Sequence, residues 1–255
     1  MRATTPVAPK TGVVSWRSAV LVRVNSNKTA KPLSGQLSEL ARQNTIWRVF
    51  KYRRGSKIFG EAESADYVYQ IREGAVRTYK LLSDGRRQIG AFHLQGDIVG
   101  VENGEIHRFT AEAIVDTTVW IAKSRGLFAK LAKVDIPAAN HIRDLIARTL
   151  EHIENHLLLL GRQNSLERVA TFLLEMDLRS GHPSVMVLPM LRRDIADYLG
   201  LTIETVSRSL STLRDEGILS FTRSTHREIV LHDRPKLAER AKSDPERRQR
   251  SPSLS

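Results

Sequence analysis

The sequence predicts an α+β chain in three parts: an N-terminal antiparallel β-roll, one long helix and a C-terminal winged helix-turn-helix. Three observations predict it. Short strand-like runs between Trp47 and Ile121 are punctuated by Gly55, Gly60, Gly74, Gly85 and Gly96. Ala138 to Leu160 carries apolar residues at alternating spacings of four and three. Arg192 to Gly217 reads RRDIADYLGLTIETVSRSLSTLRDEG, two amphipathic helices around a tight turn.

Taken in chain order, residues 1–38 read as a basic, flexible leader, and residues 39–134 as the roll. Its strands are expected at Trp47 to Tyr52, Tyr67 to Ile71, Ala75 to Leu82, Arg87 to His93 and Thr117 to Ile121. Ser83-Asp84-Gly85-Arg86 supplies a hairpin turn, because Asp-Gly accepts the positive backbone angles that tight loops need. Residues 135–161 form the long helix. Its stripe of Ile142, Ile146, Thr149, Ile153, His156 and Leu160 is a two-fold dimer seam, while Leu145, Leu150, Leu157 and Leu159 remain for contacts within the chain.

Residues 162–237 form the winged helix-turn-helix. After the hinge sequence Gly161-Arg162-Gln163-Asn164, a helix from Ser165 to Leu178 turns Leu166, Val169, Phe172, Leu173 and Met176 inward. Val185 to Leu188 is a strand, and Asp194 to Leu199 a short helix with Ile195 and Leu199 inward. Gly200-Leu201-Thr202 makes the turn, with Thr202 capping a second helix. Ile218 to Phe221 and Arg227 to Leu231 make the wing hairpin. Residues 238–255 are charged, contain Pro and Ser, and are expected to be a disordered tail.

The second helix is two-faced. Val206, Leu210 and Leu213 lie on one side, and Glu204, Ser207, Arg208 and Ser211 share the other. That polar face suits the DNA major groove, since Arg donates a fork of hydrogen bonds to guanine and Glu accepts from the cytosine amino group. Ile203 offers an apolar surface for a thymine methyl, and Thr202 and Ser211 are further candidate contacts. A palindromic site then requires a dimer, which is the role of the long helix.

Charge agrees with a polyanionic partner in total but not in distribution. The chain has 40 Lys and Arg against 28 acids, a net +12. Residues 1–57 hold 12 Lys or Arg and one acid, Glu39, whereas residues 189–227 hold six Arg against five acids. The excess sits in the leader, which reads as a solvated tail and otherwise as a sequence-independent attraction to phosphates. No stretch is long and apolar enough to span a membrane, so a cytoplasmic protein without membrane contact is expected.

From about Ile46 to Leu237 the chain resembles the bacterial transcription regulators of the CRP/FNR family, and most closely their FixK-type branch. The carriers are Leu188-Pro189-Met190 to Ile195, Asp197-Tyr198-Leu199-Gly200-Leu201-Thr202 and Glu204-Thr205-Val206-Ser207-Arg208. The resemblance implies that the roll is the cyclic-nucleotide-binding-like double-stranded β-helix, with Leu94-Gln95-Gly96-Asp97-Ile98-Val99-Gly100 as its signature phrase. It implies base reading by Glu204, Ser207 and Arg208 on half-sites of the type TTGAT, arranged as TTGAT-N4-ATCAA. Further implied are activation and an RNA polymerase contact at Ser83, Asp84, Gly85, Arg86 and Arg87.

Family members that hold cyclic AMP place a Glu just after the signature Gly and an Arg-Ser pair some ten residues on. Here Gly100 is followed by Val101, and the later segment is His107-Arg108-Phe109-Thr110-Ala111, so no nucleotide control is expected. With no cysteine in the chain, an iron–sulfur cluster, a disulfide and a thiol switch are excluded. FixK-type members commonly lack a sensory cofactor, and neither cofactor nor metal is expected. The other reading is a ligand-gated regulator with haem, sensing nitric oxide, or a small effector in the roll, for which His93 and the His152/His156 pair are the candidate ligands. An enzyme on a cupin-like barrel would need paired His that His93 and His107 do not supply, so no catalysis is expected.

Overall fold

The computed structural model describes residues 19–20, 48–102, 105–123, 136–162, 164–222 and 227–242, with side chains left out at 19–20 and for part of 136–148. Most of the expected leader and all of the expected tail beyond residue 242 lie outside the described residues. Two compact units are present: residues 1–80 with 92–139, and residues 81–91 with 140–255.

The first unit holds most of two antiparallel sheets, the hairpin residues 81–91 being counted with the second. Strands β1 (Ala19–Val20), β2 (Arg48–Tyr52), β4 (Tyr67–Glu73), β7 (Ile98–Val99) and β9 (Thr117–Lys123) form one, in the order β1-β2-β9-β4-β7. Strands β3 (Lys57–Phe59), β5 (Val76–Leu81), β6 (Arg87–His93) and β8 (Thr110–Ala113) form the other, in the order β3-β8-β5-β6. Residues alternate in and out along a strand, so each sheet can bury one face. Phe50, Ile71, Val99, Val119 and Ile121 from the first sheet meet Phe59, Val76, Ala111 and Ala113 from the second in one apolar cluster. Gly74 is fixed by space as well as by conformation: its φ is +96°, and a Cβ there would lie 2.6 Å from the Asp116 carbonyl oxygen.

All five strands expected for this region are found within two residues of their expected ends, and four further short ones join them: β3, β7 and β8, and β1 from the stretch read as a flexible leader. The expected turn closes the β5–β6 hairpin, with Gly85 N–H donating to Leu82 O over 2.9 Å at a Gly85 φ of +82°.

The second unit starts with α1 (Ile136–Leu160), followed by α2 (Ser165–Arg179), β10 (Met186–Val187), α3 (Arg192–Leu199), α4 (Ile203–Asp215), β11 (Leu219–Phe221), β12 (Glu228–Leu231) and α5 (Arg234–Ala241). The three strands pair antiparallel in the order β10-β12-β11. Asn164 caps α2 by accepting from Leu166 N over 2.9 Å. Val169, Phe172, Leu173 and Met176 of α2 are buried as expected, whereas Leu166 is half-buried. Helix α5 differs from expectation, since the winged domain was read to end at 237. Only Leu237 and Ala241 of its eight residues are buried, and they dock it against α2. No helix among the described residues is long and apolar enough to cross a membrane.

The unit is tied together by Asp177, a buried carboxylate of α2. It accepts from Arg234 Nε at 2.8 Å, from Arg234 Nη2 at 3.0 Å and pairs with His182 Nδ1 at 2.6 Å, which holds its carboxyl below the usual range, chiefly through Arg234.

His107 is the most buried titratable group of the first unit, at 1% exposure. Its ring stacks on Phe59 with centroids 3.7 Å apart, and neither ring nitrogen has a hydrogen-bond partner among the described residues. Burial pushes its pKa below 6.5, against the opposing pull of Glu102, Glu63 and Asp66. The unfolded chain therefore binds more protons than the folded one below about pH 6.5, and stability must fall as pH drops through that value. Trp120 lies on β9 of this unit. Thermal melts followed by tryptophan fluorescence should show a lower midpoint at pH 5.5 than at 7.5, and His107→Phe, which keeps the stack, should remove that part of the dependence.

Candidate nucleic-acid interface

The reading helix is positioned from behind. Val206, Leu210 and Leu213 of α4 are at most 2% exposed, and α4 packs on both α3, with Ile195 and Leu199 buried, and α2. Burying an aliphatic side chain of this kind contributes about 1.5–3 kcal/mol, so three of them fix the helix firmly about its own axis. The turn before it uses Gly200 in the left-handed region, at φ +62°. Thr202 then caps α4, its hydroxyl accepting from Thr205 N at 3.2 Å.

With its apolar side held, α4 turns its polar side outward. Glu204 and Arg208 are exposed, one turn apart, and Thr202 is exposed beside them; Ile203, Ser207 and Ser211 are half-buried on the same side. The Glu204 carboxyl is held below its usual range by its own backbone N–H, then by Thr202 and by the charge of Arg208. It is thus a pure acceptor at neutral pH, next to a cation that only donates. Ser207 receives a hydrogen bond from Arg192 Nη1 at 3.1 Å.

The other expected sites are distributed differently. Ser83, Asp84, Gly85 and Arg86 are exposed at the hairpin tip, with Asp84 and Arg86 paired at 2.7 Å. Arg87 belongs with the second unit. Its Nη2 is 2.7 Å from Asp194 Oδ1 and 2.6 Å from Asp197 Oδ2, on α3, and its side chain is 20% exposed.

The residues of the expected dimer stripe differ in their surroundings. Ile142 and Ile146 have side chains outside the described residues, and Thr149 and Ile153 are exposed. His156, however, stacks on Tyr198 of α3 with centroids 4.0 Å apart and bonds its carbonyl oxygen at 2.9 Å. Leu160 is half-buried beside Gly200. Leu150 and Leu157, expected to pack within the chain, are 54% and 70% exposed, and Leu159 is buried. Among the described residues the exposed large apolar side chains of α1 are Leu150, Ile153, Leu157 and Leu158, the first three on one side of the helix. Ile153 and His156 lie about 300° apart around the helix, so the stripe is broad enough for one edge to face Tyr198 while the other faces outward.

The candidate metal ligands are otherwise engaged. Because a carbonyl can only accept, Nε2 of His156 carries the proton and donates to Tyr198 O. His152 Nδ1 faces Glu175 at 3.5 Å, and His93 Nε2 meets Thr78 Oγ1 at 3.1 Å. No group of three or more His, Asp or Glu able to hold a metal is found among the described residues.

The residues of the roll do not fit a cyclic nucleotide. Val101 is apolar where a ribose acceptor is needed, and Glu102, 9% exposed, places its carboxylate on Arg108: Oε2 accepts from Nε at 3.0 Å, Oε1 from the backbone N at 3.2 Å. The guanidinium that would meet a phosphate is already neutralised, and Phe109 follows it instead of Ser.

A roll of this build together with a winged helix defines a class, the two-part DNA-binding regulators. Its two profiles match here, the cyclic nucleotide-binding domain over residues 49–133 and the Crp-like helix-turn-helix domain over residues 167–240. The nitrogen fixation regulation protein FixK of Azorhizobium caulinodans is 45% identical over 191 residues, covering 73% of this chain and 76% of that protein. The FixK of Rhizobium meliloti is 41% identical over 196 residues, covering 75% and 88%. The structure of FixK2 from Bradyrhizobium japonicum superposes with a TM-score of 0.73 at 53% identity, covering 78% of this chain and 99% of that one. The chain belongs to the FixK-type branch of the CRP/FNR family of transcription regulators, which are not enzymes.

Sequence reasoning overlooked Arg192 and Tyr198 as parts of the site. Arg192 stands 15 residues before Ser207, and no local pattern links them. The turn offers a clean check of the scaffold: Gly200→Ala meets no clash, since its Cβ would sit 3.7 Å from Leu160, but an Ala in the left-handed region costs about 1–2 kcal/mol. Chemical denaturation should register that loss, with the reading face itself unaltered.

Proposed function

We propose that the chain binds a TTGAT-N4-ATCAA-type palindrome as a homodimer, contacts RNA polymerase and activates transcription without a sensory cofactor. The observation that carries this reading is the outward face of α4, where anionic Glu204, Ser207 and Arg208 stand on a buried apolar back. Arg208 donates to guanine O6 and N7, Glu204 accepts from a cytosine amino group, and Ile203, Thr202 and Ser211 contact the flanks. The cofactor-free mode is supported by the Glu102–Arg108 pair and by the structural engagement of His93, His152 and His156. The exposed tip of Ser83 to Arg86 is the proposed polymerase contact, with Arg87 excluded from its reaching face by Asp194 and Asp197.

The purified protein, without additions and in air, should bind TTGAT-N4-ATCAA far more tightly than a scrambled duplex at the same salt. Arg208→Ala should lose about 1–3 kcal/mol and flatten discrimination at the guanine position. Equal affinity of the wild type for both duplexes would refute the proposed operator, and an unaffected Arg208→Ala would refute the assigned helix.

Homodimerisation through Leu150, Ile153 and Leu157 follows from their exposure on one helical face and from the two-fold symmetry of a palindrome. Ile153→Glu, and independently Leu157→Glu, should shift the protein to monomer in sedimentation velocity and abolish palindrome binding. A stable dimer in both variants would remove this face from the seam.

A further inference from the structure

Among the three base-reading candidates Ser207 alone is half-buried, and among the described residues Arg192 reaches it with a hydrogen bond. Arg192 is the first residue of α3, so the bond crosses from one helix of the pair to the other. Its guanidinium carbon lies 5.7 Å from the centroid of the Phe221 ring, at the end of wing strand β11. No carboxylate among the described residues pairs with Arg192. Burial holds its pKa below the ordinary guanidinium value, the mark of a cation sheltered from water without a compensating anion.

The chemistry of this trio has a direction. A guanidinium has five donors and no acceptor, so the bond always runs from Arg192 to the Ser207 oxygen. It occupies a lone pair of Oγ, fixes the side-chain rotamer and, being charge-assisted, polarises the hydroxyl so that its own O–H is the stronger donor. The Phe221 ring holds the guanidinium from one face, as aromatic rings hold Arg generally. A hydroxyl that would otherwise rotate freely, accepting or donating, is left with its proton for the outside.

We propose that Arg192 is a positioning residue for sequence readout: steadied by Phe221, it presents Ser207 to the half-site as a hydrogen-bond donor. Ser207 then favours base edges that carry acceptors in the major groove, namely guanine O6 and N7, adenine N7 or thymine O4, and disfavours the amino group of cytosine. This rests on the reading of α4 as the base-reading helix.

The test compares Arg192→Lys, Arg192→Ala, Phe221→Leu, Ser207→Ala and the Arg192→Ala/Ser207→Ala double variant. Each is titrated against the palindrome and against duplexes with every half-site base pair substituted symmetrically, over a range of salt. Arg192→Lys keeps the charge but loses the planar fork. It is expected to lose discrimination at one base pair, the same one that Ser207→Ala affects, by roughly fivefold, the worth of one ordinary hydrogen bond. Discrimination at the pairs that depend on Glu204 and Arg208 should persist in Arg192→Lys, and this persistence reports an intact fold. Phe221→Leu should show the same loss in weaker form, and the double variant should discriminate no worse than either single one.

A phosphate-only role overturns the inference and has its own signature. Arg192→Lys would then resemble wild type, Arg192→Ala would weaken every duplex alike, the salt slope would fall by about 0.9, and the losses would add. If Ser207→Ala leaves discrimination intact while Glu204 and Arg208 substitutions abolish it, the inference fails but the reading helix stands. If none of the three substitutions matters, the reading helix itself fails.

Discussion

The interface depends on one constraint, the burial of the apolar back of α4. Val206 and Leu213 are wholly buried and Leu210 nearly so, against α3 and α2. At 100° per residue, fixing three positions on one side of a helix fixes the azimuth of all the others. Glu204, Ser207, Arg208 and Ser211 face outward because Val206, Leu210 and Leu213 face inward. The Thr202 cap and the left-handed Gly200 set where the helix starts along its axis, so translation and rotation are both determined before any DNA is met. A readout of base edges needs such rigidity, since each hydrogen bond tolerates only a few tenths of an ångström.

Groups that could have served a ligand serve the fold instead. The imidazole of His156 lies flat on Tyr198, that of His107 flat on Phe59, and Arg108 is answered by Glu102. A flat ring buried in an apolar setting behaves first as a packing surface, and its nitrogens are secondary to that.

Much of the fold was legible because its signals are local. The helix-turn-helix, its cap, its turn glycine and the inward set of α4 follow from spacings of three and four and from the special chemistry of Thr202 and Gly200. Strands β1, β3, β7 and β8 were not legible, since runs of two to four residues carry no measurable alternation. Helix α5 escaped notice because only Leu237 and Ala241 are apolar anchors in an otherwise charged octet. The long-range polar contacts were invisible for a different reason: Arg87 reaches Asp194 and Asp197 across more than one hundred residues, and no spacing rule extends so far. The contact of His156 with Tyr198 was not legible either, because an apolar stripe on a helix has two flanks and only packing decides which flank each His and Leu joins.

The docking of His156 on Tyr198 has a geometric consequence for the proposed dimer. Ile153 and Leu157, the outward residues, lie three positions before and one after it on the same continuous helix. Seam and reader are therefore separated by a fraction of a turn of α1, with no joint between them. In the proposed dimer the phase of that turn would set the distance between two reading heads, and with it the number of bases left between half-sites. One residue inserted between Ile153 and His156 would swing one proposed reading head about 100° around the helix axis relative to Ile153 while shifting it only about 1.5 Å along it, so that the spacing of the proposed half-sites would be an angular quantity before it is a linear one.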